Sequence, residues 1–343
     1  MNESLGIKMQ QKSKSVLVTG GCGYIGSHVC CQLSESGYQV IVVDDLSTGH
    51  KDALLHQEIL IEGNCGDRSL MTQVMEKYQI DSVLHFAGSI VVPESINLPL
   101  EYYHNNVANT LALLESAKEM QLKHFILSSS AAVYGDDHEE AIDESGITRP
   151  IHPYGKSKLI DEWMLSDLAV VNPLSYAAIR YFNVAGADPD LRIGQSSKVS
   201  THLIKIACEV ATGKRKQITI YGEDYSTPDG SCVRDYVHVV DLARAHLAAL
   251  EYLEKGGDSM AINCGYNCGY SVHEVIAAVE EIIGHSLNKK VGECRPGDVA
   301  KLVAKAEKIQ GLLDWSPHFA DLKKIIESSL AWEKKLAARP GYI

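Results

Sequence analysis

Short apolar runs alternate with longer amphipathic segments along the chain from Lys14 onward. The runs are almost continuously apolar, which is typical of parallel strands that are buried on both faces of a sheet. Six such strands are predicted, at residues 15–19, 38–44, 58–63, 82–88, 124–130 and 175–182. Between them, apolar residues recur at helical spacing over 24–36, 69–77, 99–120 and 154–170. This alternation predicts an α/β fold, a Rossmann-type doubly wound parallel sheet with crossover helices on both faces.

The pattern loosens after residue 182, where segments rich in Gly, Pro and Asp separate short elements. We therefore expect a first domain at 14–182 and a smaller carboxyl-terminal lobe at 183–343. Segments near 236–264, including an apolar strand at 260–264, are expected to return to the main sheet. Residues 1–13 are polar and lack a periodic pattern, so we expect a flexible tail there.

The composition of the chain limits which kinds of molecule we expect it to bind. The chain has 343 residues and a net charge of −12, and this acidic balance argues against a nucleic-acid partner. No apolar run is long enough to cross a bilayer and no signal peptide is evident, so we expect a cytoplasmic protein without a membrane partner. The nine cysteines lie mostly in predicted helices and strands, as thiols do in a reducing compartment. Cys264 and Cys268 have CxxxC spacing without a second Cys/His pair, so we expect no metal.

A glycine motif follows the first strand and opens the first helix. Gly20, Gly23 and Gly26 provide a tight turn, close approach of the backbone to a pyrophosphate, and close packing of helix on strand. Such a cluster alone is weak evidence, because glycine-rich turns are common. Its strand-turn-helix context predicts a dinucleotide site, and its spacing resembles the extended short-chain dehydrogenase/reductase superfamily.

Two carboxylates, Asp44 and Asp45, end the second strand. A carboxylate at this position accepts hydrogen bonds from the hydroxyls of an adenosine ribose and repels a 2′-phosphate. We therefore expect NAD as the cofactor in preference to NADP. The alternative is a solvated acid at a strand end.

A tyrosine and a lysine, Tyr154 and Lys158, are four residues apart and so share one helical face. A neighbouring ammonium favours the phenolate form, which would let Tyr154 accept a proton. By itself this spacing fits a surface pair equally well. Ser130, however, lies at the carboxyl end of a predicted strand, where open α/β sheets bind ligands. Together the three residues resemble the Ser-Tyr-Lys triad of short-chain dehydrogenases, in which the serine binds the reacting hydroxyl and the lysine also binds the nicotinamide ribose.

A longer series of motifs covers nearly the whole chain in one order. It comprises GGCGYIGSH, HFAG, PLEYYHNNV, SSSAAVYGD, PYGKSKL, RYFNVAGA, DGSCVRDYVHV and RPGD. In these segments the sequence resembles the UDP-glucose 4-epimerases. The resemblance implies an NAD-dependent isomerase that interconverts UDP-galactose and UDP-glucose through a transient 4-keto sugar. It also implies a homodimer, formed through the helices at 99–120 and 154–170.

The resemblance assigns roles to individual residues. Those implied for the cofactor, besides the glycines and aspartates, are Tyr24, Ile25, Asn64, Cys65, Phe86, Ala87, Asn105, Ser128, Tyr154, Lys158 and Tyr181. Those implied for the UDP-sugar are Ser130, Tyr154, Asn183, His202, Leu203, Tyr221, Arg234, Arg295, Asp298 and Leu302. Arginines suit diphosphate oxygens, although either alone could be a surface ion pair.

Three positions depart from the family pattern. Asn64 stands where an Asp often contacts the adenine, and Ile90 stands where a Lys often lies near the cofactor. Leu302 occupies the position where a bulky Tyr excludes 2-acetamido sugars, so some activity on UDP-N-acetylhexosamines is expected.

Other functions stay open at this point. The nearest is another extended-family UDP-sugar enzyme, such as a dehydratase, a uronate epimerase or a decarboxylase. A dehydratase needs an acid/base pair beside the serine, where this chain has Ala131 and Ala132. A non-catalytic NAD-sensing protein is the alternative from a different class, because a fold alone does not fix function.

Overall fold

The computed structural model describes residues 14–136, 140–197 and 200–338, and the predicted tail at 1–13 lies outside them. Up to residue 181 the elements are β1 (Ser15–Thr19), α1 (Tyr24–Glu35), β2 (Gln39–Asp44), β3 (Ile59–Glu62), α2 (Arg68–Tyr78), β4 (Ser82–His85), α3 (Val92–Asn97), α4 (Pro99–Tyr102), α5 (Asn109–Glu119), β5 (His124–Ser128), α6 (Pro153–Val171) and β6 (Ser175–Tyr181). The later elements are β7 (Asn183–Ala185), α7 (Leu203–Ala211), β8 (Ile218–Tyr221), β9 (Val233–His238), α8 (Val239–Glu254), β10 (Met260–Cys264), β11 (Gly269–Ser271), α9 (Val272–Ile283), β12 (Lys289–Gly292), β13 (Lys301–Leu302), α10 (Glu307–Leu312) and α11 (Leu322–Ala337).

Seven strands form the main sheet, in the order β10-β6-β5-β4-β1-β2-β3. Every pairing within it is parallel. The strand order reverses between β1 and β4, which is the point where doubly wound sheets open a crevice for ligands. The predicted fold class is confirmed.

Both faces of the main sheet are buried, which explains why its strands are almost continuously apolar. In β1, Val16 and Val18 pack on the face covered by α1 and α8, whereas Leu17 packs on the face covered by α2 and α5. Successive side chains of a strand point to opposite faces, so a polar residue in either set would lie in a core.

A second group of elements follows β6. β9 pairs in parallel with β7 and β13 and antiparallel with β11, and β8 pairs with β12. Helices α7, α9 and α11 pack around a separate apolar core there. Residues 236–238 complete β9 in this second sheet, while α8 packs on β5 and β6 and β10 joins the edge of the main sheet beside β6.

The segment 99–120, predicted as one helix, contains an interruption. A π turn, Tyr103–Ala108, separates α4 from α5. Within it the Asn106 side-chain amide donates to the Ser89 carbonyl (3.0 Å) and to the Ser157 hydroxyl (2.9 Å). These tertiary contacts hold the wider turn against the loop after β4, and such turns are frequent at functional sites.

Within the described residues, no helix has the length and apolar character needed to cross a membrane.

Candidate active site

The glycine loop between β1 and α1 is closely packed against backbone. Gly20 has φ of 71°, and a Cβ atom there would lie 2.6 Å from the Ala87 amide nitrogen. A Cβ on Gly26 would lie 2.2 Å from the Gly20 carbonyl oxygen, whereas one on Gly23 would meet nothing closer than 3.2 Å. The loop thus requires glycine at two positions for its shape, while Gly23 is the one with room for a neighbouring group. Helix α1 begins directly after it, so its free N–H groups lie at this cleft.

Asp44 organises the loop from the end of β2. Its carboxylate accepts hydrogen bonds from the backbone N–H groups of Cys22 (2.9 Å) and Leu46 (2.8 Å) and is buried. Burial raises the pKa of this carboxyl, and the two backbone bonds act against the shift. Asp45 is exposed and accepts from the Ser47 backbone and hydroxyl.

These residues belong to a long cleft that crosses the carboxyl ends of β1, β2 and β4. It is lined by most of the residues predicted for the cofactor, namely Gly20, Gly23, Tyr24, Ile25, Gly26, Asp44, Asp45, Asn64, Cys65, Phe86, Ala87, Asn105, Ser128 and Tyr181. Asn64 accepts from the Gly66 backbone N–H at 2.7 Å. Ile90, half exposed, lines the cleft where the family often has a lysine.

The residues of this cleft fit NAD. A glycine loop at a helix amino terminus suits a pyrophosphate, and a buried carboxylate at the end of the next strand suits the ribose hydroxyls. Both features are present in the geometry of Gly26 and Asp44 described above.

Polar contacts from the π turn shape the middle of the cleft. Asn105 donates to the Ser89 hydroxyl at 2.9 Å, and the side-chain oxygen Oδ1 of Asn106 accepts from the Ser89 backbone N–H at 2.8 Å. Asn106 is buried and was not predicted as a site residue. Its only signal in the sequence is its place next to Asn105 in the motif PLEYYHNNV.

A second cleft adjoins the first and faces the later elements. The residues that line both are Ile25, Ile90, Tyr181, Thr201 and His202. The second cleft contains every residue predicted for the UDP-sugar, namely Ser130, Tyr154, Asn183, His202, Leu203, Tyr221, Arg234, Arg295, Asp298 and Leu302. Sequence reasoning missed His152 and Cys232 in this lining.

Two arginines give this cleft positive charge. Arg295 is paired with Asp298 (Nε to Oδ2, 3.0 Å), and its guanidinium lies 4.4 Å from the centre of the Tyr221 ring. Arg234 donates to the backbone carbonyl of Val233 at 2.9 Å and has no carboxylate partner among the described residues. Guanidinium groups held in this way suit the oxygens of a diphosphate.

Ser130 and Tyr154 line the second cleft near Tyr181, which lines both clefts, and Lys158 is buried behind them. Ser130 follows β5 and caps a short turn by accepting from the Ala132 N–H at 3.2 Å. Tyr154 and Lys158 occupy the first two turns of α6, and the lysine is 3% exposed. An ideal Cβ on Gly88 would be 3.8 Å from the Lys158 ammonium, so this charge lies beside the cofactor cleft.

The protonation of Tyr154 differs from the expectation based on spacing. Burial raises the pKa of its phenol above the usual range, the neighbouring Tyr181 adds to the rise, and hydrogen bonding with Ser130 opposes it. Lys158 is not among the main influences on this pKa, so burial outweighs the effect that helical spacing suggests for its ammonium. The physical reason is that both groups are desolvated: burial lowers the pKa of Lys158, and nearby Asp161 raises it.

Comparison with known proteins places this geometry in a family. The model of the NAD dependent epimerase/dehydratase family matches residues 16–265. A UDP-glucose 4-epimerase of Azospirillum brasilense is 47% identical over 329 residues, which is 96% of this chain and 94% of that protein.

Solved structures of 4-epimerases are also similar to this chain. UDP-glucose 4-epimerase from Bifidobacterium longum, in complex with NAD+ and UDP, has a TM-score of 0.90 at 38% identity, covering 94% of this chain and 98% of that one. The UDP-Glc/GlcNAc 4-epimerase from Campylobacter jejuni has a TM-score of 0.82 at 40% identity, covering 94% and 100%. The chain therefore belongs to the NAD dependent epimerase/dehydratase family, and within it to the UDP-glucose 4-epimerases.

Proposed function

We propose that this protein interconverts UDP-galactose and UDP-glucose by oxidising the sugar at C4, turning the ring and reducing C4 from the other face. The observation that carries the proposal is that two clefts adjoin at Tyr181, with Ser130 and Tyr154 lining the second cleft near this residue. One cleft has the features of a dinucleotide site, and the other has two arginines suited to a diphosphate. A sugar held by its UDP in the second cleft reaches the first at the catalytic tyrosine.

The chemistry requires a redox route because the hydrogen on C4 is not acidic. NAD, when bound, would supply a hydride acceptor that later becomes the donor, and a positive charge that would favour the phenolate form of Tyr154. We propose that the Tyr154 oxygen takes the proton of the 4-hydroxyl as C4 becomes a ketone and returns it on reduction. Ser130 holds the same sugar oxygen, and Lys158 binds the nicotinamide ribose.

Inversion also requires that the sugar be held less firmly than the UDP. We propose that Arg234 and Arg295 hold the diphosphate while Asn183 and Leu302 border the sugar. Residues 14–182 would then hold the cofactor, and 183–338 chiefly the substrate. We place the reaction in the cytoplasm, where reduced thiols such as those of the described cysteines persist.

A direct assay tests the proposed function. The purified protein is incubated with UDP-galactose, with and without added NAD, and the products are separated. UDP-glucose should form until both sugars are present, with no net change in the redox state of NAD. Conversion to a dehydrated or decarboxylated product would identify a different family member, and no turnover in either arm would favour a protein that only binds NAD.

Leu302 is expected to govern the size of sugar accepted. It lies in β13 opposite Arg234 of β9 and lines the second cleft. Because leucine leaves room that a tyrosine would fill, we propose that the protein also turns over UDP-N-acetylglucosamine. Leu302→Tyr should lower kcat/KM for this substrate by roughly 10–200-fold relative to UDP-glucose, as expected when a pocket loses room for a small group.

Leu302→Met is the matched control, since it keeps the volume and apolar character of the side chain. It should leave the ratio of the two kcat/KM values nearly unchanged. A wild-type protein that converts UDP-glucose and ignores UDP-N-acetylglucosamine would contradict the prediction.

We propose that two copies of the chain associate through the segment 99–120, which contains α4 and α5, and through α6. Helices α4 and α6 leave large apolar side chains exposed: Leu100 of α4 is 79% exposed, and Trp163 and Val170 of α6 are 57% and 83% exposed. A cluster of such side chains marks a contact surface. A second copy is the proposed partner because these are the two segments that the family resemblance assigns to the dimer.

Trp163→Asp should convert the dimer to a monomer, because a carboxylate cannot be buried unpaired at an apolar contact. Light scattering coupled to size exclusion gives the mass. Val291→Asp, at a half-exposed apolar position on β12, is the control and should stay dimeric. A wild-type protein that is monomeric at all concentrations would refute the dimer.

A further inference from the structure

A cluster of potential metal ligands lies at the carboxyl end of α1. Cys31 and Glu35 are one turn apart on α1, and His56 approaches them from the loop before β3. The Cys31 sulfur is 3.4 Å from Glu35 Oε1 and 3.7 Å from His56 Nε2, and that nitrogen is 3.6 Å from Glu35 Oε1.

These three distances match the edges of a zinc tetrahedron. Zinc binds sulfur at about 2.3 Å and imidazole nitrogen or carboxylate oxygen at about 2.0–2.2 Å, which separates neighbouring ligand atoms by about 3.3–3.6 Å. The site is one-sided: Cys31 is buried, whereas the carboxylate and the imidazole are 40% and 36% exposed, leaving the fourth position to water. We propose that Cys31, Glu35 and His56 form a zinc-binding site.

The protonation of the Cys31 thiol and the contact of Arg192 with Glu35 would both affect zinc binding. Burial, aided by Glu35, raises the pKa of the Cys31 thiol to about 12, so zinc would displace a proton and bind more tightly as pH rises. Arg192 donates to the same Glu35 oxygen at 3.0 Å and would have to leave it. Its two hydrogen bonds to Asp188, at 2.9 and 2.6 Å, would still hold it.

The sequence did not suggest this site, because His56 is distant from Cys31 and only the fold joins them. Zinc there would fasten α1, which begins at the glycine loop, to the segment between β2 and β3. Serine and histidine side chains of that segment, Ser47 and His50, line the cofactor cleft. Zinc should therefore raise the melting temperature.

Zinc alone, in competition with a chromophoric chelator, tests the proposal. The exposed thiols Cys268 and Cys294 are first replaced by serine to remove adventitious binding. This background should bind one equivalent, and adding Cys31→Ser or His56→Gln should weaken binding at least tenfold and abolish the rise in melting temperature. His273→Gln, a half-exposed histidine 3.9 Å from Glu223, is the control. Failure of the background to bind zinc, or equal affinity in all variants, would overturn the site.

An independent observation concerns the interior behind the catalytic lysine. Asp161 is fully buried on α6, and neither of its carboxylate oxygens has a hydrogen bond of good geometry among the described residues; the Thr110 hydroxyl approaches them but donates to the Asn106 backbone carbonyl at 2.5 Å. One of the carboxylate oxygens is 4.0 Å from the Lys158 ammonium. An unpaired buried carboxyl is costly, so its presence beside this lysine calls for a function.

We infer that Asp161 is a positioning residue that keeps Lys158 charged and directed at the cofactor cleft. The inference rests on the proposed function. The other groups facing the pair are Glu162, Cys65, His85 and Thr110. Glu162 is held by Arg180 at 2.6 Å, and the pKa of His85 is lowered by burial to about 3, so neither supplies a free charge to Lys158.

Asp161→Asn should move the alkaline limit of kcat to lower pH by about one unit, because removing a nearby anion lowers the pKa of a cation. Asp167→Asn, an exposed residue of the same helix, should leave the profile unchanged. Superimposable profiles for wild type and Asp161→Asn would refute the role. A wild type without epimerase activity would instead refute the proposed function.

Stability separates positioning from a structural role. Burial raises the pKa of Asp161 from 3.8 to about 7, so the carboxyl costs folded-state stability that grows as pH rises through this range. Asp161→Leu, of similar shape, should therefore melt at a higher temperature, increasingly so toward pH 7, while its pH profile shifts like that of Asp161→Asn. A lower melting temperature would show that the carboxyl stabilises the fold.

Discussion

Replacing Tyr154 by phenylalanine should lower kcat by on the order of 10²–10⁴-fold while UDP-sugar and NAD still bind. The side chain is 6% exposed and its ring stacks on His152 with centres 6.0 Å apart, so phenylalanine keeps the packing. What it loses is the phenol oxygen, which we propose exchanges a proton with the 4-hydroxyl. The expected signature is a fall in kcat with little change in the KM for UDP-galactose.

Steady-state kinetics and binding of UDP measured by calorimetry check this prediction. Tyr78→Phe, a half-buried tyrosine on α2 remote from both clefts, is the matched control and should show normal turnover. If Tyr154→Phe were to retain a near-normal kcat, another group would have to be the base.

The main sheet could be predicted from the sequence because its inner strands, such as β1, are buried on two faces. Val16, Leu17 and Val18 face two different cores, and this leaves no polar position to confuse the pattern. The second group of elements had no such signal. Its strands are as short as the two residues of β13, and its loops take their shape from tertiary contacts.

The candidate site likewise has one part that could be predicted from the sequence and one part that could not. The glycine loop and the pair Tyr154 and Lys158 are local motifs, so their neighbours in space are largely their neighbours in sequence. The lining of the second cleft comes from distant segments, and only the family resemblance joined Asn183, Arg234 and Arg295 before the structure placed them together.

The sequence could not reveal the protonation states of Tyr154 and Lys158, or the scarcity of hydrogen-bond partners around the Asp161 carboxyl. Helical spacing places Asp161 and Lys158 on one face of α6, but it says nothing about burial. The structure shows that both are inside, and desolvation then decides the pKa of the lysine and of Tyr154. The π turn was missed for a similar reason, since contacts from Asn106 to Ser89 and to Ser157 of α6 hold it.

Replacing Gly26 by alanine should abolish NAD binding by distorting the loop. Its Cβ would lie 2.2 Å from the Gly20 carbonyl oxygen and 2.9 Å from the Gly21 Cα, and backbone atoms cannot rotate away as a side chain would. Helix α1 would have to separate from β1, so we expect a lower melting temperature as well as loss of activity.

Gly23→Ala should behave differently, and this contrast is the test. Its Cβ meets only the Gly20 carbonyl oxygen at 3.2 Å, so the fold should persist while the methyl group takes space at the pyrophosphate. NAD titration by fluorescence and thermal melting separate the two effects. Gly311→Ala, with nothing within 4 Å, controls for the substitution itself. If Gly26→Ala had the melting temperature and the NAD affinity of the wild type, the proposed role of this loop would be wrong. Close packing of the amino terminus of α1 on β1 would then not be needed for NAD binding.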